Sequence, residues 1–428
     1  MTAFDASASP DTAAAALPRL TLGKWIVNIA LRWVPPFLPT LEKAFGASTT
    51  QLTTILGVSE MAGLSTIVVG PQLDRGRERL VVTAGILAVA LASLVTLVGT
   101  TFTFAIGSLL VILGVSNVTV AGHTFIGHRV AYERRARSIG LFETSWAFAL
   151  LIGAPIIAVL ISVFGWRGPY VALTLAAALA ALVVGRSAAL AAPAVASRPI
   201  GIDPPPTSSE GTERPTGTPP ARSSDPIDPA PAPTVSTEPI TSGVFAAMTP
   251  RAWLVVVGSA FTGLAGLSVF AISGSWLDDA FGVPTGGLGA VAMGFGAVEL
   301  MSSAGSAAFA DRIGKLRGTV AALALLVVGT IVMSTADSTL WIGVIGILVF
   351  LSGFEFAIVT SFSLVSEASP TARGATIALA NGVGTVARGS GTIVGGWLYG
   401  VHGVDGTLAL SATAAVIAAV AFVSSRRI

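Results

Sequence analysis

The chain has 428 residues, of which 53% are hydrophobic and only 11% charged, with a mean hydropathy of +0.81. Soluble domains carry about a quarter charged residues, so this composition excludes a soluble globular protein and indicates a polytopic membrane protein. A net charge of +2 with no basic stripe excludes nucleic acid as a partner, and the absence of cysteine excludes disulfides, thiolate metal sites and cysteine nucleophiles.

Residues 1–20 carry Asp5 and Asp11 ahead of Arg19 and contain no short apolar run ending in a cleavage site, so they are expected to form a cytoplasmic tail and not a removable leader. Apolar stretches of transmembrane length follow at about 22–43, 49–70, 80–99, 103–126, 139–163 and 168–186, and again at about 252–277, 286–310, 318–336, 340–364, 374–400 and 406–424. Between the two sets, residues 189–250 hold 14 of the 24 prolines among Ser, Thr and Ala, a composition that cannot bury a core and reads as a flexible linker. The expected fold is an all-α polytopic membrane protein of twelve transmembrane helices. It divides into a six-helix bundle over 21–188, the linker, a second six-helix bundle over 251–425 and a short tail at 426–428.

Lys and Arg set the orientation. Arg75, Arg77 and Arg79 follow span two, Arg129, Arg134, Arg135 and Arg137 follow span four, and Arg312, Lys315 and Arg317 follow span eight, whereas the opposite loops hold only Lys43 and Arg167. Both termini and the linker are therefore expected in the cytoplasm, and the protein in the cell membrane.

The two halves repeat each other. Leu41–Gly46 reads LEKAFG and Leu277–Gly282 reads LDDAFG; Asp74-Arg75 returns as Asp311-Arg312, and Arg137 as Arg373, all at an offset of about 236 residues. Duplicated halves around a central site are a common plan of secondary transporters.

On these residues the chain resembles the major facilitator superfamily. The family's signature after span two is matched by Gly70-Pro-Gln-Leu-Asp74-Arg75-Gly76-Arg77-Glu78-Arg79, with one residue missing between Arg75 and Gly76. The second copy, Asp311-Arg312-Ile313-Gly314-Lys315-Leu316-Arg317, has full spacing with Ala307 in place of the leading glycine. Phe164–Arg167 and the Pro-x-x-Arg-Gly entry at Pro370–Gly374 are also similar to the family. The resemblance implies two pseudo-twofold-related bundles, a cavity between them and alternating access. It also implies a gating role for Asp74, Arg75, Arg77, Asp311, Arg312 and Lys315, the acidic residue latching neighbouring helices in one state and releasing them in another. Pro36-Phe-Leu-Pro39 resembles a pattern of twelve-helix drug exporters, while Ala154-Pro155 departs from the exporters' fifth-span signature.

Spans three, six, nine and twelve have no charge in their central parts and are expected to face lipid, because a lipid-facing charge is costly. Five charges lie well inside other spans: Arg32, Glu60, Glu299, Glu355 and Arg388. A carboxylate at that depth is suited to take up a proton, so Glu60, Glu299 and Glu355 are the candidate proton-coupling residues; the competing reading is permanent pairing with Arg32 or Arg388. Glu60 and Glu299 occupy corresponding spans and are expected to face each other. Arg32 beside Trp33, on a helix that Pro35 and Pro36 can kink, suits a planar carboxylate. Arg32, Trp33, Asn28, Arg388 and Asn381 are therefore the candidate substrate contacts. His123 and His128 are read as packing or solvated residues, and Glu143 as one arm of an interhelical salt bridge.

No nucleophile with a base, phosphate loop or metal-ligand cluster is present, so neither an enzyme nor a cofactor is expected. The partners expected are a small-molecule substrate, protons and the lipid bilayer, with the protein a monomer. The favoured function is proton-coupled transport of a small organic solute, an anion slightly preferred. The alternatives are a drug/proton antiporter and, of a different class, a non-transporting membrane sensor whose linker docks a partner.

Overall fold

The computed structural model describes residues 10–130, 132–187, 190, 248–337, 339–369 and 373–426. All the regular elements among them are helical. The linker expected at 189–250 lies almost wholly outside these residues.

Span one is Pro10–Arg32 continued by Leu38–Phe45, and span two is Thr49–Ser59, a 3₁₀ stretch Glu60–Ser65, and Thr66–Asp74. Span three is Glu78–Thr96, span four Thr101–Arg129, span five Tyr132–Leu151 with Gly153–Phe164, and span six Arg167–Gly185. Span seven is Pro250–Phe281, span eight Thr285–Ile313, span nine Lys315–Ser334 and span ten Leu340–Glu367. Spans eleven and twelve form one helical run, Arg373–Ser424, that turns at Gly403.

Ten helical stretches among the described residues are long and apolar enough to cross a membrane. One of them contains spans eleven and twelve. Span one is the remaining member of the twelve: it is interrupted between its two helices, and Arg19, Lys24 and Arg32 lower its hydropathy. Its helix starts at Pro10, ahead of the apolar stretch expected from about residue 22, because Ala13–Ala16 are strong helix formers whatever their hydropathy.

The sequence repeat has a backbone counterpart. Spans one and seven end in left-handed glycines, Gly46 (φ 60°) and Gly282 (φ 63°), which cap the helix with a conformation costly for residues bearing a Cβ. Gly76 and Gly314 after spans two and eight, and Gly165 and Gly403 after spans five and eleven, repeat the positive φ.

Spans three, six, nine and twelve carry helical stripes of exposed apolar residues, such as Leu80, Leu87, Leu91 and Leu94, or Leu175, Leu179 and Leu182. These are the lipid-facing surfaces expected of them. The halves meet where span seven packs on one, eleven on two, and eight on five. A Cβ on Gly57 would fall 2.5 Å from the carbonyl oxygen of Gly389, and one on Gly389 the same distance from that of Gly57, so two glycines are what allows spans two and eleven to cross backbone to backbone. Gly296 lies equally tightly on Leu151 where span five is broken.

Polar contacts reinforce the same end of the interface. Lys43 pairs with Asp278 at 2.7 Å, Ser275 donates to Glu42 at 2.6 Å, and Thr50 donates to the Gly396 carbonyl at 3.1 Å. Beyond its 3₁₀ stretch, span two packs chiefly on spans three and four of its own half. The halves thus close on each other at the end carrying Lys43.

Candidate functional site

Each buried charge of span one finds its partner on span five or across the halves. Lys24, Asn28 and Arg32 recur every fourth residue and so share one helix face. Lys24, 1% exposed, donates to Glu143 at 2.6 Å, and His123 Nε2 lies 2.7 Å from the same oxygen. Asn28 donates to Ser145 at 3.2 Å, while its buried carbonyl oxygen has no partner among the described residues. Arg32, 4% exposed, donates to the Trp146 carbonyl at 2.9 Å and forms a two-pronged ion pair with Glu299 of span eight.

The aromatic over the Arg32 guanidinium is Trp146, 4.3 Å from its ring centre. Trp33, expected in that place, points the other way: it is fully buried and packs edge-on against Tyr170 of span six, 5.2 Å between centroids. The helix stops at Arg32 and the chain turns through Pro35 and Pro36, so adjacent residues project to opposite sides. Glu355 of span ten is buried close enough to Glu299 and Arg32 to act on them electrostatically, and no hydrogen bond joins it to another described side chain. One guanidinium and two carboxyl groups therefore share this cluster.

A second charged pair also bridges the halves. Glu60, the first residue of the 3₁₀ stretch, stands 3.6 Å from Arg388 of span eleven, and Arg388 donates to Thr385 at 3.1 Å. This pair is looser and wetter than the first, with Arg388 34% and Glu60 19% exposed. Glu60 and Glu299, expected to face each other, instead each meet an arginine of the opposite half. A shift of two residues between their registers and the 3₁₀ turn at Glu60 place the two carboxylates on different helix neighbours.

Arg388 opens onto a cavity of about 220 Å³ between spans seven, ten and eleven, lined also by Asn381, Ser259, Gly263, Ile358 and Phe362. The structure thus brings Arg388 and Asn381 to one cavity and puts Arg32 and Asn28 into sealed contacts with span five and span eight.

Among the gating candidates, Asp74, Arg75 and Arg312 are exposed, with no ion pair among the described residues, and Arg77 donates to Gln72 at 2.9 Å. The side chain of Asp311 lies outside the described ones. The charge that joins spans three and four is Glu78, fully buried between His128, 2.9 Å away, and Arg129, 3.3 Å away. In the second half Lys315 pairs with Glu367, joining spans nine and ten.

Sequence reasoning missed three members of this architecture. Lys24 was hidden by its place near the end of an apolar stretch, although its spacing from Asn28 and Arg32 marks it. Trp146 and Glu78 carried no local signal, since each acts through a helix remote in sequence.

The Major Facilitator Superfamily model matches residues 20–392. Among curated proteins, the chain is 28% identical over 152 residues to the "Uncharacterized MFS-type transporter YwfA" of Bacillus subtilis (strain 168), covering 35% of this chain and 36% of that protein. It is 26% identical over 134 residues to the "Probable L-galactonate transporter" of Escherichia coli (strain K12), covering 31% and 30%. The matches thus span about a third of each relative's length. Among solved structures, a bacterial homologue of the human lysosomal transporter Spinster, inward-facing and unoccupied, superposes with a TM-score of 0.71 at 15% identity over 98% of both chains. The occupied inward-facing form gives 0.65 over 97% of both. With twelve spans in two repeated halves and a family match over most of its length, the chain belongs to the major facilitator superfamily of membrane transporters.

Proposed function

We propose that this transporter moves a small organic anion together with or against protons, with Arg388 as the residue that meets the substrate. The observation that carries this reading is the contrast between the two arginines. Arg32 has both prongs occupied and is sealed from solvent, whereas Arg388 is loosely paired, a third exposed and faces a cavity of about 220 Å³. A guanidinium cannot shed its charge at physiological pH, so an incompletely paired one in a cavity favours a carboxylate-bearing ligand. Asn381 and Ser259 supply hydrogen-bonding groups beside it, and Ile358 and Phe362 an apolar wall. Glu60, Glu299 and Glu355 are the carboxylates available for the coupling proton. Arg32 and Asn28 hold span one to span five in this reading.

In this reading the Lys and Arg bias favours cytoplasmic termini and linker, with the loops after spans two and eight on that side. Asp74 and Arg75, exposed and without an ion pair among the described residues, fit a gating latch in its released state. The L-galactonate in one relative's name makes sugar acids the first anions to try.

The test is flux in proteoliposomes carrying an internal pH dye, with L-galactonate, gluconate and lipophilic cations as candidates. Proton movement evoked by an anion and lost in Arg388→Ala supports the reading. Movement evoked only by cations and indifferent to Arg388→Ala refutes it and transfers support to drug/proton antiport, which the apolar residues Ile358, Phe362, Val365 and Ile377 of the cavity wall would then serve.

A further inference from the structure

Glu355 is the buried carboxyl group that the ion pairs leave over. Arg32 gives both prongs to Glu299 and Arg388 stands beside Glu60, while Glu355 has no hydrogen-bond partner among the described residues. Its side chain is buried, with the residue 7% exposed. Leaving a buried polar group unpartnered is costly, and native proteins rarely keep one without a ligand or water to complete it.

The position of Glu355 in span ten determines what can reach it. Ile358 and Phe362 of the same helix line the cavity at Arg388. Phe362 is seven residues from Glu355, a spacing that returns to the same helix face within about 20°, and Ile358 is one turn away, about 4.5 Å of rise. Span seven repeats the pattern. Gly263 lines the cavity against the Arg388 side chain, and Phe270, seven residues further on, has its ring centre 5.6 Å from the Arg32 guanidinium. The cavity-lining faces of both helices therefore continue from Arg388 to the cluster that holds Glu355.

A ligand whose carboxylate takes Arg388 can thus extend toward Glu355, and the chemistry there selects what its far end carries. An ammonium would have to enter beside the Arg32 guanidinium, which already acts on Glu355. An apolar end would leave the carboxyl group without a partner. A hydroxyl adds no charge and both donates and accepts, so it satisfies a carboxyl group with or without its proton.

We propose that Glu355 determines substrate specificity by hydrogen-bonding hydroxyl groups of the substrate, so that the substrate class is hydroxylated carboxylic acids and not simple aliphatic ones. The proposal rests on the reading of Arg388 as the carboxylate contact and adds the residue that recognises the other end of the molecule. It needs no change in the charge of Glu355, which stays among the carboxylates available for the coupling proton.

The test is calorimetry on the purified transporter in detergent with gluconate, hexanoate and ω-aminohexanoate, three six-carbon acids that differ in their hydroxyl and ammonium groups. The wild type is expected to bind gluconate at least about tenfold more tightly than hexanoate, which leaves the buried carboxyl group unpartnered. Glu355→Leu removes that group and is expected to bring the two acids within about twofold of each other, without weakening hexanoate. If the wild type binds neither gluconate nor hexanoate, the anionic reading falls and this proposal with it. Equal wild-type affinity for the two, or a preference that survives Glu355→Leu, overturns the role of Glu355 and leaves the Arg388 reading standing. Tighter binding of ω-aminohexanoate than of gluconate overturns the hydroxyl assignment in favour of an ammonium. Should Glu355→Leu not fold, infrared difference spectra of the wild type and the near-isosteric Glu355→Gln replace it. Gluconate, and not hexanoate, is then expected to shift a carboxyl band that Glu355→Gln lacks; no shift, or the same shift with both acids, refutes the contact.

Discussion

Glu299→Gln removes the charge that both prongs of Arg32 engage and so tests the cross-half ion pair directly. Arg32 is 4% exposed and the Glu299 side chain 2%, so neither can exchange its lost partner for water. Stripping one member from a buried pair generally costs about 3–5 kcal/mol, because the remaining charge stays buried and uncompensated. Two features of this site reduce that figure. Arg32 retains its bond to the Trp146 carbonyl, and Glu355 lies near enough to compensate part of the charge. The expected cost of Glu299→Gln is therefore about 2 kcal/mol, since a retained hydrogen bond to a charged group is itself worth about 1.5–3. Glu299→Gln/Glu355→Gln strips both carboxylates from the cluster and should cost more than the two single changes added together, because Glu355 can substitute for Glu299 only while Glu299 is gone. Denaturant unfolding of the purified protein in detergent, followed by tryptophan fluorescence, measures all three variants. Purely additive effects, or a double variant as stable as the wild type, would refute the view that a single buried guanidinium is balanced by these two carboxylates.

Further expectations concern other parts of the molecule. Gly389→Ala should lower both stability, read by thermal unfolding, and transport, because the added Cβ would fall 2.5 Å from a backbone carbonyl, whereas Gly127→Ala, with open space around it, should be neutral or slightly stabilising. Glu143→Gln leaves the ammonium of Lys24 buried with only Phe142 above it; since Glu143 is itself 42% exposed and water can enter, the loss should be about 1–3 kcal/mol, read by thermal unfolding, and Lys24→Met/Glu143→Gln should recover most of it. Lys43→Ala breaks an ion pair whose lysine is 73% exposed, so no change in unfolding temperature is expected, and a shift of several degrees would show that the closed end depends on that contact. Deleting residues 200–240 should leave flux in proteoliposomes unchanged; a protein that loses its cellular effect without ever showing flux would instead fit the sensor reading.

The membrane class, the twelve spans, the duplication and the four lipid-facing helices were legible in the chain because each is written locally. Hydropathy averaged over a span reports its solvent, and a repeated motif reports the repeated turn, down to the left-handed glycines Gly46 and Gly282 that end LEKAFG and LDDAFG. Five intramembrane charges, Arg32, Glu60, Glu299, Glu355 and Arg388, were equally visible, since nothing else in hydrocarbon-length stretches is so costly; Lys24 was not. Their partners were not. Arg32 lies 267 positions from Glu299, and whether it meets Glu299, Glu60 or a ligand depends on helix rotation, on a break at Pro35 and Pro36 that turns Trp33 away from it, and on a 3₁₀ turn that shifts Glu60 out of register with its counterpart. A shift of one or two residues rotates a helix face by more than a quarter turn, so contacts between spans are set by packing of the assembled halves and not by the spacing within either one.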